Sequence, residues 1–181
     1  MRANKNSSIP RISAVDLFCG AGGLTKGLEK SGINVSVGVD IDPACSFPFE
    51  ENNSAKFILK SVAEISGAEL ESKWGKGAIK LLAGCAPCQP FSTYRLGTDT
   101  TKDNKWKLLY EFSRLIKETK PELITMENVP NLVRHEVFLD FVSSLEIQGY
   151  SVTYNVVKCM EYGVPQSRNR LVLLASKFGK I

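Results

Sequence analysis

A chain of 181 residues can form one domain with a full core and is too short for two ordinary ones. Its content, 43% hydrophobic and 23% charged, is that of a soluble globular protein, and no apolar run approaches membrane-spanning length. A net charge of +4 suits a polyanionic partner without requiring one, and the polar first ten residues lack the apolar stretch of a signal peptide or anchor, which makes a cytoplasmic setting the expectation.

Residues 1–12 read as a basic tail ahead of a single domain over 13–181. A strand is expected over 13–18, then a glycine turn and a helix over 24–30 that Gly32 is suited to end. Residues 35–41, nearly continuous in Val and Ile, predict a strand buried on both faces. Asp42-Pro43 opens a helix toward residue 51. Short strands are expected at 57–59 and 81–84. A helix over 106–118 follows from the spacing of Leu108, Leu109, Phe112, Leu115 and Ile116. A strand at 123–126, a helix at 137–145 and strands at 152–157 and 171–175 complete the chain. Strands alternating with helices predict a mostly parallel, doubly wound α/β sheet. The polar stretch 93–105 is the one long irregular loop, placed where a mobile lid would be useful.

Five segments carry chemistry. Asp16-Leu17-Phe18-Cys19-Gly20-Ala21-Gly22-Gly23 is strand, glycine turn and helix start, which lets backbone approach a ligand and presents free N–H groups. Asp40 lies at the end of the next strand, where nucleoside-binding α/β folds place a carboxylate for ribose hydroxyls. Gly84-Cys85-Ala86-Pro87-Cys88-Gln89-Pro90 holds a cysteine between two prolines just after a strand, a placement suited to a nucleophile. Glu127, within Met126-Glu127-Asn128-Val129-Pro130, puts a carboxylate on the same sheet edge. Arg168 and Arg170, two apart before the last strand, would share a face and could clamp a phosphate or a base carbonyl.

Cys85 and Cys88 also admit other readings. A structural zinc site would need four ligands, yet there is no second C-x-x-C and one histidine only, so no metal is expected. A redox pair fits the spacing alone. The five cysteines are expected to be reduced thiols, and Cys85 to be a packed strand-end residue.

Together and in order, DLFCGAGG, VGVDID, GCAPCQPFS, MENVP and YGVPQSRNR resemble the DNA (cytosine-5)-methyltransferase family over about residues 14–176. The resemblance implies a Rossmann-like methyltransferase fold whose last strand is antiparallel, with S-adenosyl-L-methionine as cofactor and double-stranded DNA as partner. It matches Cys88 to the nucleophile that adds to carbon 6 of a flipped-out cytosine, and Glu127 to the residue that holds the base and supplies a proton. Arg170 matches the contact to the base carbonyl and Arg168 a supporting position. Phe18, Cys19, Gly20, Gly22 and Gly23 match the cofactor turn, Asp40 the ribose ligand and Ile41 the adenine-packing position. Ser61, Val62, Pro87 and Leu108 match further cofactor walls.

Two departures from the family pattern stand out. Lys60-Ser61-Val62 occupies the place of the usual acidic adenine contact, leaving Ser61 to accept that hydrogen bond. The target-recognition domain and the returning C-terminal segment of the family have no counterpart within 13–181, which suggests a truncated or split catalytic portion and a separate chain carrying the recognition region. A nucleoid-associated role in restriction–modification fits such an enzyme. The tRNA-methylating branch of the family is the rival within the same chemistry, and a non-catalytic binding module is the rival outside it.

Overall fold

The computed structural model describes residues 11–87 and 106–181. Cys88, the expected lid at 93–105 and nearly all of the tail lie outside the described residues. Seven strands form one sheet: β1 (Ile12–Leu17), β2 (Asn34–Asp40), β3 (Lys56–Leu59), β4 (Ile79–Gly84), β5 (Leu123–Asn128), β6 (Ser151–Lys158) and β7 (Asn169–Ser176). Their order is β3-β2-β1-β4-β5-β7-β6, with parallel pairing from β3 through β5. β7 is antiparallel to both of its neighbours, as the family resemblance implies.

The helices are α1 (Gly23–Lys30), α2 (Ser46–Asn52), α3 (Gly67–Glu71), α4 (Lys107–Thr119) and α5 (Glu136–Ile147). The larger core lies between the sheet and α3, α4 and α5, where Phe112, Leu115, Ile116, Phe138 and Leu145 meet Val15, Leu82, Met126 and Leu173. Phe112 and Phe141 stack across α4 and α5 with ring centroids 5.9 Å apart. A smaller core on the opposite face joins Phe49 to Ala14, Cys19, Val35 and Leu81. Gly38 admits this packing, since a Cβ there would lie 2.4 Å from the Phe49 ring.

Every expected element is present, with ends shifted by a few residues. β5 continues to Asn128, two residues past the expected end, and Glu127 pairs within it with Val172. β7 starts at Asn169, so Arg168 precedes the strand. The short helix α3 was not expected; Gly67 and Gly75 interrupt any apolar periodicity around it.

One sheet face is left partly open. Thr153, Asn155 and Val157 of β6 and Val172 and Leu174 of β7 line a hollow of about 400 Å³, rimmed by Tyr162. No helix of the described residues is long and apolar enough to cross a membrane, and no cluster of three metal-ligating side chains occurs among them.

Candidate active site at the C-terminal edge of the sheet

The parallel strands all deliver their C-terminal ends to one edge, and the expected site residues of the described segments gather there. The turn after β1 is conformationally demanding. Phe18, Gly20 and Gly22 all have positive φ, at 57°, 52° and 89°. Phe18 adopts this region despite its side chain, held by packing against the larger core. Gly22 needs to be glycine twice over: besides its φ, a Cβ would lie 2.2 Å from Asn53 Nδ2 and 2.8 Å from the Phe49 ring. Among the described residues a Cβ at Gly20 or Gly23 would meet nothing within 4 Å, which leaves space before the turn on the side where a ligand could lie. Cys19 turns the other way: its sulfur is buried beside Gly38, its thiol is pushed up by burial and by Asp16 and Asp40, and only its backbone borders the turn.

Asp40 is held before any ligand arrives. One carboxylate oxygen accepts the Gly20 N–H at 2.8 Å and the other the Asp42 N–H at 3.0 Å. A carboxylate offers about four acceptor positions, so two remain for hydroxyl groups. Next to it Ile41 is 69% exposed, an apolar surface suited to a flat ring. Val62 is buried beyond β3, while Ser61 spends one acceptor position on the Ala63 N–H at 3.3 Å and caps the short turn there. Arg114 of α4 fixes that same segment, donating to the carbonyls of Val62 at 3.2 Å and Ile65 at 2.9 Å.

Two residues of the expected motifs, Asp16 and Asn128, have roles that sequence reasoning did not assign. Asp16 is fully buried beneath the glycine turn. Its Oδ2 accepts from the Thr25 hydroxyl of α1 at 2.7 Å. Oδ1 has no hydrogen-bond partner among the described residues. Burial lifts this carboxyl to about 6, with Asp40 adding to the rise and the Thr25 bonds opposing it. Asn128 is buried at the end of β5 and donates from Nδ2 to the Ala86 carbonyl at 2.9 Å, anchoring the chain two residues before Cys88. An unpaired buried carboxylate oxygen has no sequence signal; the Asn128 contact depends on a β4–β5 register the sequence does not specify.

The edge between β4, β5 and β7 gathers the polar chemistry. Arg170 Nε forms an ion pair with Glu127 Oε1, with both side chains largely shielded from solvent. Burial raises the Glu127 carboxyl above the usual range, opposed by a hydrogen bond from the Cys85 thiol and by the charge of Arg168. The Arg168 side chain is exposed; its carbonyl accepts the Cys159 N–H at 2.8 Å, tying the loop to the start of β7. Pro87 is exposed at the last described position of its loop, and Leu108 is half-buried in the first turn of α4. Cys85 is half-buried just past the end of β4, and its thiol is pushed up by burial, Glu127 and Asp16.

A family model described as C-5 cytosine-specific DNA methylase matches residues 12–181. The chain belongs to that family. Type II methylase M.HgiDII of Herpetosiphon aurantiacus is 50% identical over 172 residues, which cover 93% of this chain and 48% of the relative. Type II methyltransferase M.XorII of Xanthomonas oryzae pv. oryzae is 36% identical over 180 residues, covering 93% and 41%. The S. pombe Dnmt2 methyltransferase structure superposes with a TM-score of 0.76 at 20% identity, over 94% of this chain and 52% of that one. A Dnmt2 variant from Spodoptera frugiperda gives 0.73 at 20% identity, over 91% and 50%. The chain thus spans about half the length of the curated relatives it matches. The fold is the Rossmann-like methyltransferase fold that the sequence resemblance implies.

Proposed function

We propose that this chain is the catalytic portion of an enzyme that methylates carbon 5 of cytosine in DNA, using S-adenosyl-L-methionine. The observation that carries the reading is the Glu127–Arg170 ion pair, set at the sheet edge beside the loop leading to Cys88, in a chain of the cytosine methylase family.

The residues present fit the cofactor. Open space in front of Gly20 and Gly23 admits its amino-acid portion, and the buried Asp16 charge beneath the turn favours a cationic group there. Asp40 offers acceptors to ribose hydroxyls, while Ile41 and Val62 flank the adenine and Ser61 retains one acceptor position. S-adenosyl-L-methionine supplies an electrophilic methyl group when bound.

Carbon 5 of cytosine is a poor nucleophile, and covalent addition divides a difficult step in two. The Cys88 thiolate forms a bond to carbon 6 while Glu127 delivers a proton to the ring nitrogen N3, so the electron pair of the carbon 5–carbon 6 double bond becomes available at carbon 5. After methylation the carbon 5 proton leaves, the sulfur–carbon bond breaks and the thiolate returns. Arg170 holds Glu127 and faces the base carbonyl; Arg168 supports the loop. The base must leave the duplex to reach these groups.

The recognition region and the returning segment belong, on this reading, to another part of the protein or to a partner chain. A duplex carrying 5-fluorocytosine tests the proposal, because fluorine cannot leave as a proton and the adduct is trapped. The complete protein should form a covalent complex that depends on Cys88 and on cofactor. Non-covalent binding alone would indicate a binding module, and trapping on tRNA in preference to DNA would reassign the substrate.

A further inference from the structure

The N-terminal ends of β1, β2 and β4 lie on the sheet edge opposite the candidate active site. A hollow of about 650 Å³ opens there, beside the turn that leads into β4. Three cations line it: Arg11 ahead of β1, and Lys73 and Lys76 ahead of β4. No acidic side chain is among its lining residues. None of the three cations forms an ion pair among the described residues. The acidic residues of α3 are engaged elsewhere, Glu69 by Lys60 at 2.7 Å and Glu71 by Lys80 at 3.0 Å. Lys73 bears on Glu69 only through its charge.

Neutral donors border the same hollow. Ser13 lines it although only 5% exposed, and its buried hydroxyl has no hydrogen-bond partner among the described residues. An unpaired buried hydroxyl is costly, and a ligand oxygen that accepts from it relieves the cost. The exposed Asn34 adds a side-chain amide from β2. In the turn, the backbone amides of Gly75, Lys76 and Gly77 donate no hydrogen bond among the described residues. A Cβ at either glycine would meet nothing within 4 Å, so backbone can approach a ligand closely.

Unpaired cations, a hydroxyl and free amides, with no carboxylate lining the hollow, are the donor set for a multiply charged oxyanion. We propose that this hollow binds a phosphate group, at a site separate from the one that holds the reacting cytosine. The six residues of β1, at about 3.3 Å each, put about 20 Å between this edge and the Gly20 turn. Phosphates flanking a base held beside Glu127 do not reach across that span. The phosphate therefore comes from the backbone of a second duplex segment or from a free phosphorylated molecule.

The test titrates inorganic phosphate into the complete protein by calorimetry, with chloride adjusted to hold the ionic strength constant. A protein carrying both Lys73→Gln and Lys76→Gln should bind phosphate about tenfold more weakly than wild type, and Ser13→Ala about fivefold. Hydrogen exchange across residues 73–79 should slow at saturating phosphate in wild type and not in the double variant. Absence of phosphate binding, or equal affinity in wild type and the double variant, would overturn the proposal. So would a large loss of methylation rate in the double variant at saturating DNA and cofactor, since that would put both lysines at the reacting site. A duplex of A·T pairs, which offers no cytosine, separates the two sources. Displacement of phosphate by that duplex, with a salt slope smaller by about two in the double variant, assigns the site to DNA backbone. Phosphate retained at saturating duplex assigns it to a free phosphorylated molecule.

Discussion

Replacing Asp16 by Asn should make the fold more stable at neutral pH and less dependent on pH. The buried carboxyl sits at about 6, raised from the ordinary aspartate value. A group whose folded value is raised contributes stability that is full below the unfolded value and lost as pH rises through the folded one. The rise corresponds to roughly 3 kcal/mol lost between about pH 4 and pH 7, since each tenfold change in proton affinity is worth about 1.4 kcal/mol. Asn keeps an acceptor for Thr25, but its amide would occupy the place of the unpartnered Oδ1 and cost about 1–2 kcal/mol if left unpaired. The curves should therefore cross: wild type is more stable near pH 4, and Asp16→Asn more stable by about 1–2 kcal/mol above pH 7. Reversible urea unfolding of both proteins from pH 4 to pH 8 measures this. A stability difference that stays constant across that range would refute the assignment of the buried charge to Asp16. The same substitution should weaken S-adenosyl-L-methionine binding, which calorimetry would register as a larger Kd.

Cys88→Ser should abolish methylation while leaving the cofactor Kd nearly unchanged, as measured by methyl-transfer assay and calorimetry on the same samples. Glu127→Gln should keep fold and cofactor binding but lose about 100- to 10,000-fold in single-turnover rate, because an amide cannot deliver the proton; a loss below tenfold would remove Glu127 from that role. Gly22→Ala should lower the unfolding free energy by about 2–4 kcal/mol, since the new methyl group meets Asn53 and Phe49 at a positive φ. Asn128→Ala should cost about 1 kcal/mol through the lost hydrogen bond to the Ala86 carbonyl and slow methylation as the loop toward Cys88 loses its anchor. Denaturant unfolding and single-turnover assays check both outcomes.

Much of this architecture was legible because it rests on local rules. Val and Ile runs mark buried strands such as β2, helical spacing marks α4, and the glycine turn and the acidic residue at the next strand end meet in the Gly20–Asp40 hydrogen bond. What was not legible depends on neighbours distant in sequence. The strand expected to end at Met126 runs on to Asn128, because Glu127 pairs with Val172, 45 positions away. Cys19 lies in the turn expected to hold a cofactor, yet its sulfur packs into the small core. The helix α3 is too short for periodicity to announce it.

The placement of β7 between β5 and β6 carries a consequence for folding order. Strands β1 to β5 can pair as the chain lengthens, but β5 keeps an open edge until Asn169–Ser176 inserts beside it. Arg170 arrives with that insertion, so the ion pair with Glu127 closes in the same event that seals the edge. An incompletely folded chain therefore exposes both an unpaired strand edge, open to association with other chains, and an unneutralised carboxylate. Pairing of β7 thus closes the Glu127–Arg170 ion pair and the β5 edge together.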